Sequence, residues 1–370
     1  MSRLAALLAV TLLYAAPALA QQNKGALRSF NDWIIGCDNV RYCRAMGFVP
    51  DGWPKSPALV VAREGVGTSP PSVQLLWSDG LPGGALTLSA DGQSLGTLSG
   101  DKEIMEPQWE WEGHRIMVPE VERKVLAALR TAKEITIAVA GSSEPPFAVS
   151  LKGASAALLF MDDVQKRVGT KTALARPGDR DPATIPAPPK LPPLPPTPKI
   201  AAKPFDKEAP QAVRRLFLSE AAKACDLEAD EARKASAVFA ARLSANQVLY
   251  GMQCWRAAYN FGTAFYVLRE GQGGGASRAI FPDPVDRARP EVSEYPHVLS
   301  NAEFEEETMD VTTFHKGRGI GDCGTSQSWR WTGARFEPTS ATSMSECRGF
   351  SEETWLRLYR VDDPKKEKSQ

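Results

Sequence analysis

Twelve of the 29 prolines in this chain fall between residues 177 and 210. Proline has no N–H to give to a helix or a sheet ladder, and it restricts the residue before it, so such a stretch cannot complete regular structure. Its centre, residues 186–198, favours the polyproline II conformation at about 3.1 Å per residue and reads as a stiff spacer. The chain is thereby parted into two halves, which fits a length of 370 residues, more than one hydrophobic core usually serves. The expected organisation is a leader over 1–20, an N-terminal domain over 25–172, a linker over 173–210, a C-terminal domain over 211–361 and a disordered tail over 362–370.

The leader is read from Arg3, the apolar run that follows it, and the small-residue signal Ala18-Leu19-Ala20. The run is shorter than the roughly 20 apolar residues a membrane span needs. Cleavage after Ala20 would leave a mature chain with no transmembrane anchor, and Gln21 offers no thiol for a lipid. The expected compartment is the periplasm or the exterior of a Gram-negative cell. Forty-four basic side chains balance 44 acidic ones, so nucleic acid is not an expected partner.

Six cysteines in an exported chain imply disulfides. Cys37 and Cys43 flank a short loop alone in the N-terminal half and are expected to pair. The other four allow three pairings, of which sequence order favours Cys225 with Cys254 and Cys323 with Cys347. Their spacing is too wide for a structural zinc site, and no His lies near a cysteine pair except His315, so no metal or other cofactor is expected.

Period-two apolar segments separated by Gly, Pro, Asp and Ser turns predict strands near 30–37, 42–49, 58–63, 73–78, 85–89, 114–118, 135–140 and 147–151. Helices are predicted over 119–132 and 154–168 from apolar residues at helical spacing, with Pro119 at a permitted first-turn position. Beyond the prolines, helices over 209–224 and 228–239 precede strands near 248–254, 263–269, 279–281, 303–310, 328–336 and 353–359. The fold class is therefore mainly β (α+β): two small antiparallel, disulfide-supported domains with flanking helices, the first sandwich-like.

The blocks Phe30-x-x-Trp33-x-x-x-Cys37-Asp38-Asn39-x-x-x-Cys43, Gly317-Arg318-Gly319-Ile320-Gly321-Asp322-Cys323-Gly324, Trp329-x-Trp331 and Glu346-Cys347-Arg348-Gly349 resemble the exported proteobacterial domain-of-unknown-function family 1176. The first block also resembles the invasion-associated locus B proteins, which are taken to be periplasmic or surface-exposed and rich in β structure. The resemblance implies export, disulfides and β-rich folds, and it supplies no reaction.

The chemically densest region is 301–324. Glu303, Glu305 and Glu307 share one face of a predicted strand and read as a solvated edge that discourages pairing with another chain. If the loop over 316–324 folds back on the strand end, Asp310, His315, Arg318 and Asp322 converge into a ligand or anion site, a base held by an acid beside an arginine. Trp329 and Trp331 share one side of a strand, as do Trp109 and Trp111. Each pair forms an aromatic platform if exposed, or core packing if buried. His114 and His297 have no ligand-type neighbour in sequence. With no catalytic motif, the leading expectation is a non-enzymatic binding or interaction module for an envelope protein, glycan or peptide. A hydrolase acting on an envelope glycan or peptide, or a structural envelope component, are its rivals.

Overall fold

The computed structural model describes residues 24–50, 56–78, 80, 82–99, 114–116, 119–200, 203–287 and 295–364. The leader and the Trp109/Trp111 pair lie outside them. The N-terminal half contains β1 (Gly25–Phe30), β2 (Trp33–Cys37), β3 (Cys43–Phe48), β4 (Pro57–Arg63), β5 (Ser72–Trp77), β6 (Leu86–Ala90), β7 (Gln93–Leu98), β8 (His114–Ile116), α1 (Pro119–Ala128), β9 (Glu134–Val139), β10 (Phe147–Ser150) and α2 (Ala154–Val164). After the prolines come α3 (Gln211–Ala224), α4 (Ala229–Lys234), β11 (Ala237–Ser244), β12 (Gln247–Arg256), β13 (Phe261–Arg269), β14 (Ala276–Arg278), β15 (Val285–Arg287) and β16 (Val298–Ser300). The chain then continues through β17 (Glu303–Glu305), β18 (Asp310–Lys316), β19 (Gly324–Trp331), β20 (Phe336–Met344) and β21 (Leu356–Arg360). The protein is mainly β, as the alternating pattern leads one to expect.

Among the described residues four sheets carry the fold: β15-β1-β2-β3-β4-β5-β8, β10-β9-β6-β7, β11-β12-β13-β14 with β16 also on β13, and β17-β18-β19-β20-β21. All pairings between these strands are antiparallel except β1 with β15. The seven-stranded sheet is covered on both faces, which is why β2 (WIIGC) and β4 (PALVVAR) are buried at every position and apolar except at Arg63. Trp33, Ile35, Leu59 and Val61 face the second sheet and helices α1 and α2. Ile34, Met46, Phe48 and Val60 face Trp355, Leu356, Leu358 and Tyr359 of the C-terminal half.

This second face joins the halves in one core. Gly36 makes the approach possible, since a Cβ there would lie 2.6 Å from Leu358 Cδ2 and 2.8 Å from Leu356 Cβ. In the C-terminal half, α3 packs Val213, Phe217 and Ala221 on one face of the third sheet, and the fourth sheet packs Trp329, Trp331 and Phe336 on the other.

The proline stretch lies along both halves and is held by its carbonyl groups. Arg41 Nη1 donates to Pro186 O at 3.4 Å, Asp362 N to Pro192 O at 2.8 Å and Arg330 Nη1 to Pro195 O at 3.1 Å. Proline gives up a donor but keeps its acceptor. The contact with Pro192 carries regular pairing to Asp362, inside the segment expected to fray.

Several boundaries depart from expectation. The segment read as one strand from 30 to 37 begins with the turn of a β1–β2 hairpin, with Asn31 at φ 51°. The helix expected over 228–239 stops at Lys234, and Ala237–Ser244 forms β11, whose alanines give no strong preference of their own. Residues 279–281 are not a strand. β7, β18 and β20 are strands where no strand was expected, because Ser- and Thr-rich alternation such as PTSATS is a weaker signal than an apolar one. All six cysteines pair, as Cys37–Cys43, Cys225–Cys254 and Cys323–Cys347, the arrangement sequence order favours. Among the described residues no helix is long and apolar enough to cross a membrane.

Candidate functional site

The four polar residues expected to converge do not. Asp310 and His315 lie on one strand five positions apart, roughly 17 Å along it, and an odd spacing turns them to opposite faces. Asp310 sits opposite Arg330 in register and takes a two-pronged ion pair from it, Nε to Oδ1 and Nη2 to Oδ2, both 2.8 Å. The glycine loop folds on itself and not over the strand: Arg318 Nε donates to Asp322 Oδ1 at 2.6 Å, and Asp322 Oδ2 accepts Gly349 N at 2.6 Å. Burial tends to raise the Asp322 carboxyl, but the bonds from Arg318 and Gly349 outweigh it and hold it below its usual range.

Gly324 closes the loop at φ +141°, with its missing Cβ only 1.9 Å from His315 O. Trp329 and Trp331 are 2% and 3% exposed and pack in the core, so they form no platform. Together with Asp322, the sulfurs of Cys323 and Cys347 are the one cluster of ligand-type atoms among the described residues, and a disulfide supplies no thiolate to a metal.

Two of the candidates, His315 and Trp329, nevertheless line a cleft of about 330 Å³ between the third and fourth sheets. Its floor is apolar, from Phe281, Leu299 and the edge of Trp329, whose Nε1 donates to Pro282 O at 2.8 Å. Its walls carry Asp283, Arg287, Tyr295, Ser300, Thr313, His315, Thr325 and Gln327. Asp283 accepts Gln327 Nε2 at 2.9 Å and Val285 N at 3.1 Å, and it forms an ion pair with Arg287. The exposed His315 sits with Nδ1 3.1 Å from Ser300 Oγ. Fixed amide, hydroxyl, imidazole and charged groups above an apolar floor are the composition of a small-ligand site.

Two polar centres have no counterpart in the expected site. Asp38, fully buried between the first cysteine pair, accepts Val40 N and Tyr42 N on one oxygen and Arg360 Nε at 2.8 Å on the other. Asn39 completes the junction with β21 through Arg360 N and O, each at 3.0 Å. Separately, Glu220 of α3 accepts Tyr266 OH at 2.6 Å, His297 Nε2 at 2.8 Å and Arg278 Nε at 2.6 Å. His297 is wholly buried, and its Nδ1 has no hydrogen-bond partner among the described residues. A Glu at position 220, on the helix face that carries Val213, Phe217 and Ala221, is the sequence signal for this centre.

A family model described as "Protein of unknown function (DUF1176)" matches residues 27–362. The chain belongs to the DUF1176 family. Over 373 residues it is 29% identical to the "Uncharacterized protein YpfG" of Escherichia coli (strain K12), with 96% of each chain covered. No solved structure matches it. In this DUF1176 protein most of the sequence blocks that carry the resemblance build the frame: Trp33 Nε1 donates to Ser150 O at 2.8 Å, Asp38 and Asn39 join the halves, Asp322 closes its loop and Trp331 fills a core. Trp329 alone among these residues also reaches the cleft.

Proposed function

We propose that this DUF1176 protein is an exported, non-enzymatic binding module of the cell envelope, and that the cleft beside β18 holds a small polar part of a glycan or peptide. The reading rests on one observation: His315, Gln327, Asp283 and Arg287 stand around an apolar floor in a cleft of about 330 Å³. Asp283 is held by Gln327, Arg287 and Val285 N, and His315 rests against Ser300 Oγ, which leaves less ordering for a ligand to impose. Three disulfides fit an oxidising compartment. The leader-like first twenty residues and the locus-B-like opening at Phe30 and Trp33 support the periplasm as that compartment.

A hydrolase is the second reading, and the Ser300–His315 contact at 3.1 Å favours it. A serine nucleophile needs a base that is itself oriented by a third group, and among the described residues no carboxylate hydrogen-bonds to His315.

Both readings meet in one experiment, titration of the mature protein with a defined disaccharide–tetrapeptide muropeptide, followed by NMR. Binding without turnover is expected, with shifts centred on His315, Thr325 and Gln327 and at least tenfold weaker affinity in Gln327→Ala. Cleavage of the probe that disappears in Ser300→Ala would replace the binding role with the hydrolytic one. Absence of any shift in the cleft at millimolar probe would remove both.

A further inference from the structure

We infer that a second hollow, on the other side of β18, binds neutral sugars. It measures about 530 Å³ and is lined by Tyr259, Phe261, Lys316, Glu303 and Glu352 among others. Tyr259 and Phe261 are 43% and 44% exposed. Two large aromatic side chains left open side by side and rimmed by polar groups form an apolar patch of the kind that marks a contact surface.

Lying two residues apart, Tyr259 and Phe261 flank buried Asn260, and the hairpin that carries them is pinned. Asn260 Nδ2 donates to Lys316 O at 2.9 Å, and its Oδ1 accepts Lys316 N at 3.1 Å. Asn301 Oδ1 accepts Phe261 N at 2.9 Å while Asn301 N donates to Phe261 O at 2.8 Å. Tyr259 OH donates to Gly317 O at 3.2 Å. The Tyr259 ring and the backbone beneath Phe261 are thus held before any ligand arrives, which lowers the ordering cost of stacking on them.

The remaining lining suits hydroxyl groups. The carboxylates of Glu303 and Glu352 accept, the Lys316 ammonium donates, and the hydroxyls of Thr312 and Ser326 do both. A pyranose presents C–H faces to aromatic rings and hydroxyls at its rim, which is the complement of this surface. Two carboxylates against one ammonium disfavour an acidic sugar. An extended peptide would add to an open strand edge, but β13 is already paired with β16, and β18 with β17 and β19, while the sheet edge at β17 is three residues long and carries Glu303 and Glu305, which discourage such pairing.

The inference does not depend on the cleft across the strand. Its test is calorimetric titration of the full oxidised protein with N-acetylglucosamine tetramer, maltotetraose and tetragalacturonate. At least one neutral tetramer is expected to bind: the first would point to cell-wall glycan as the source, the second to free oligosaccharide. Tyr259→Ala and Phe261→Ala should each weaken binding at least tenfold, with Tyr259→Phe within about threefold of the parent because the stacking face remains. The Phe261 side chain makes no hydrogen bond, so unchanged thermal unfolding should accompany the loss in Phe261→Ala, and Tyr259→Phe separates the loss of the bond to Gly317 O from the loss of the stacking face. No binding of either neutral sugar, tighter binding of the acidic one, or undiminished binding in the alanine variants would overturn the inference.

Discussion

Asp162→Ala is expected to lower stability by about 3–5 kcal/mol, read as a shift in the urea midpoint. Asp162 and Arg63 are completely buried, with Arg63 Nη2 2.6 Å from Asp162 Oδ1. The second carboxylate oxygen accepts Ala175 N at 2.8 Å, and Arg63 also donates to Gln165 Oε1 at 2.7 Å and Thr172 O at 2.9 Å. The cluster ties the end of α2 to β4 and to the chain leaving the helix. Burial already draws the Arg63 guanidinium below its usual pKa, and Asp162 opposes that. Without the carboxylate, a cation stays in the core with no counter-charge. The double replacement Arg63→Met with Asp162→Leu removes both charges and should recover part of the loss, the remainder reflecting Ala175 N, Gln165 Oε1 and Thr172 O left without their partners. A single variant losing no more than an exposed pair does, about 1 kcal/mol or less, would show that water reaches the site.

Glu220→Leu should cost roughly 2–5 kcal/mol, since the buried donors of Tyr266 and His297 lose their acceptor while the half-exposed Arg278 can turn to water. The same centre gives a pH dependence of defined sign. Burial pulls His297 below its usual 6.5, and the opposing charge of Glu220 does not cancel it. The unfolded chain therefore takes up the proton first, and stability that is complete above pH 6.5 declines as pH falls toward the lower folded value. Glu220 behaves alike further down. Burial raises its carboxyl, but the bonds from Tyr266 and Arg278 and the charge of His297 hold it below 4.5, so its contribution is present above that pH and lost below it. His297→Gln should abolish the first part of the slope and keep the second. A parent protein whose stability stays flat from pH 7 to pH 5 would contradict this account of His297.

What could be read from the sequence was what neighbours in sequence determine. The apolar runs of β2 and β4, the amphipathic spacing of α1 and α3, and the short loop between Cys37 and Cys43 all announce themselves locally. Trp329 and Trp331 share a face in the sequence as in the fold, but only the third sheet decides that the face is inward. The partner of Asp310 is Arg330 because the β18–β19 hairpin sets them opposite, and ending the predicted strand at 310 hides that register. Asp38 and Arg360 are separated by nearly the whole chain, as are Asn39 and its partner. Glu220 meets His297 across 77 positions. No pattern within a window of a helix or a strand reports such pairs. The proline stretch misleads differently: its missing donors are visible in the sequence, whereas its carbonyls find partners only in the folded protein.

We propose that the mature protein works outside the cytoplasm with its three sulfur bridges closed. Intact mass and peptide mapping of the protein isolated from cells, without reduction, should find a chain starting at Gln21 and the crosslinked peptides Cys37–Cys43, Cys225–Cys254 and Cys323–Cys347. A chain that keeps Met1 to Ala20 and carries alkylatable thiols at those positions would contradict it.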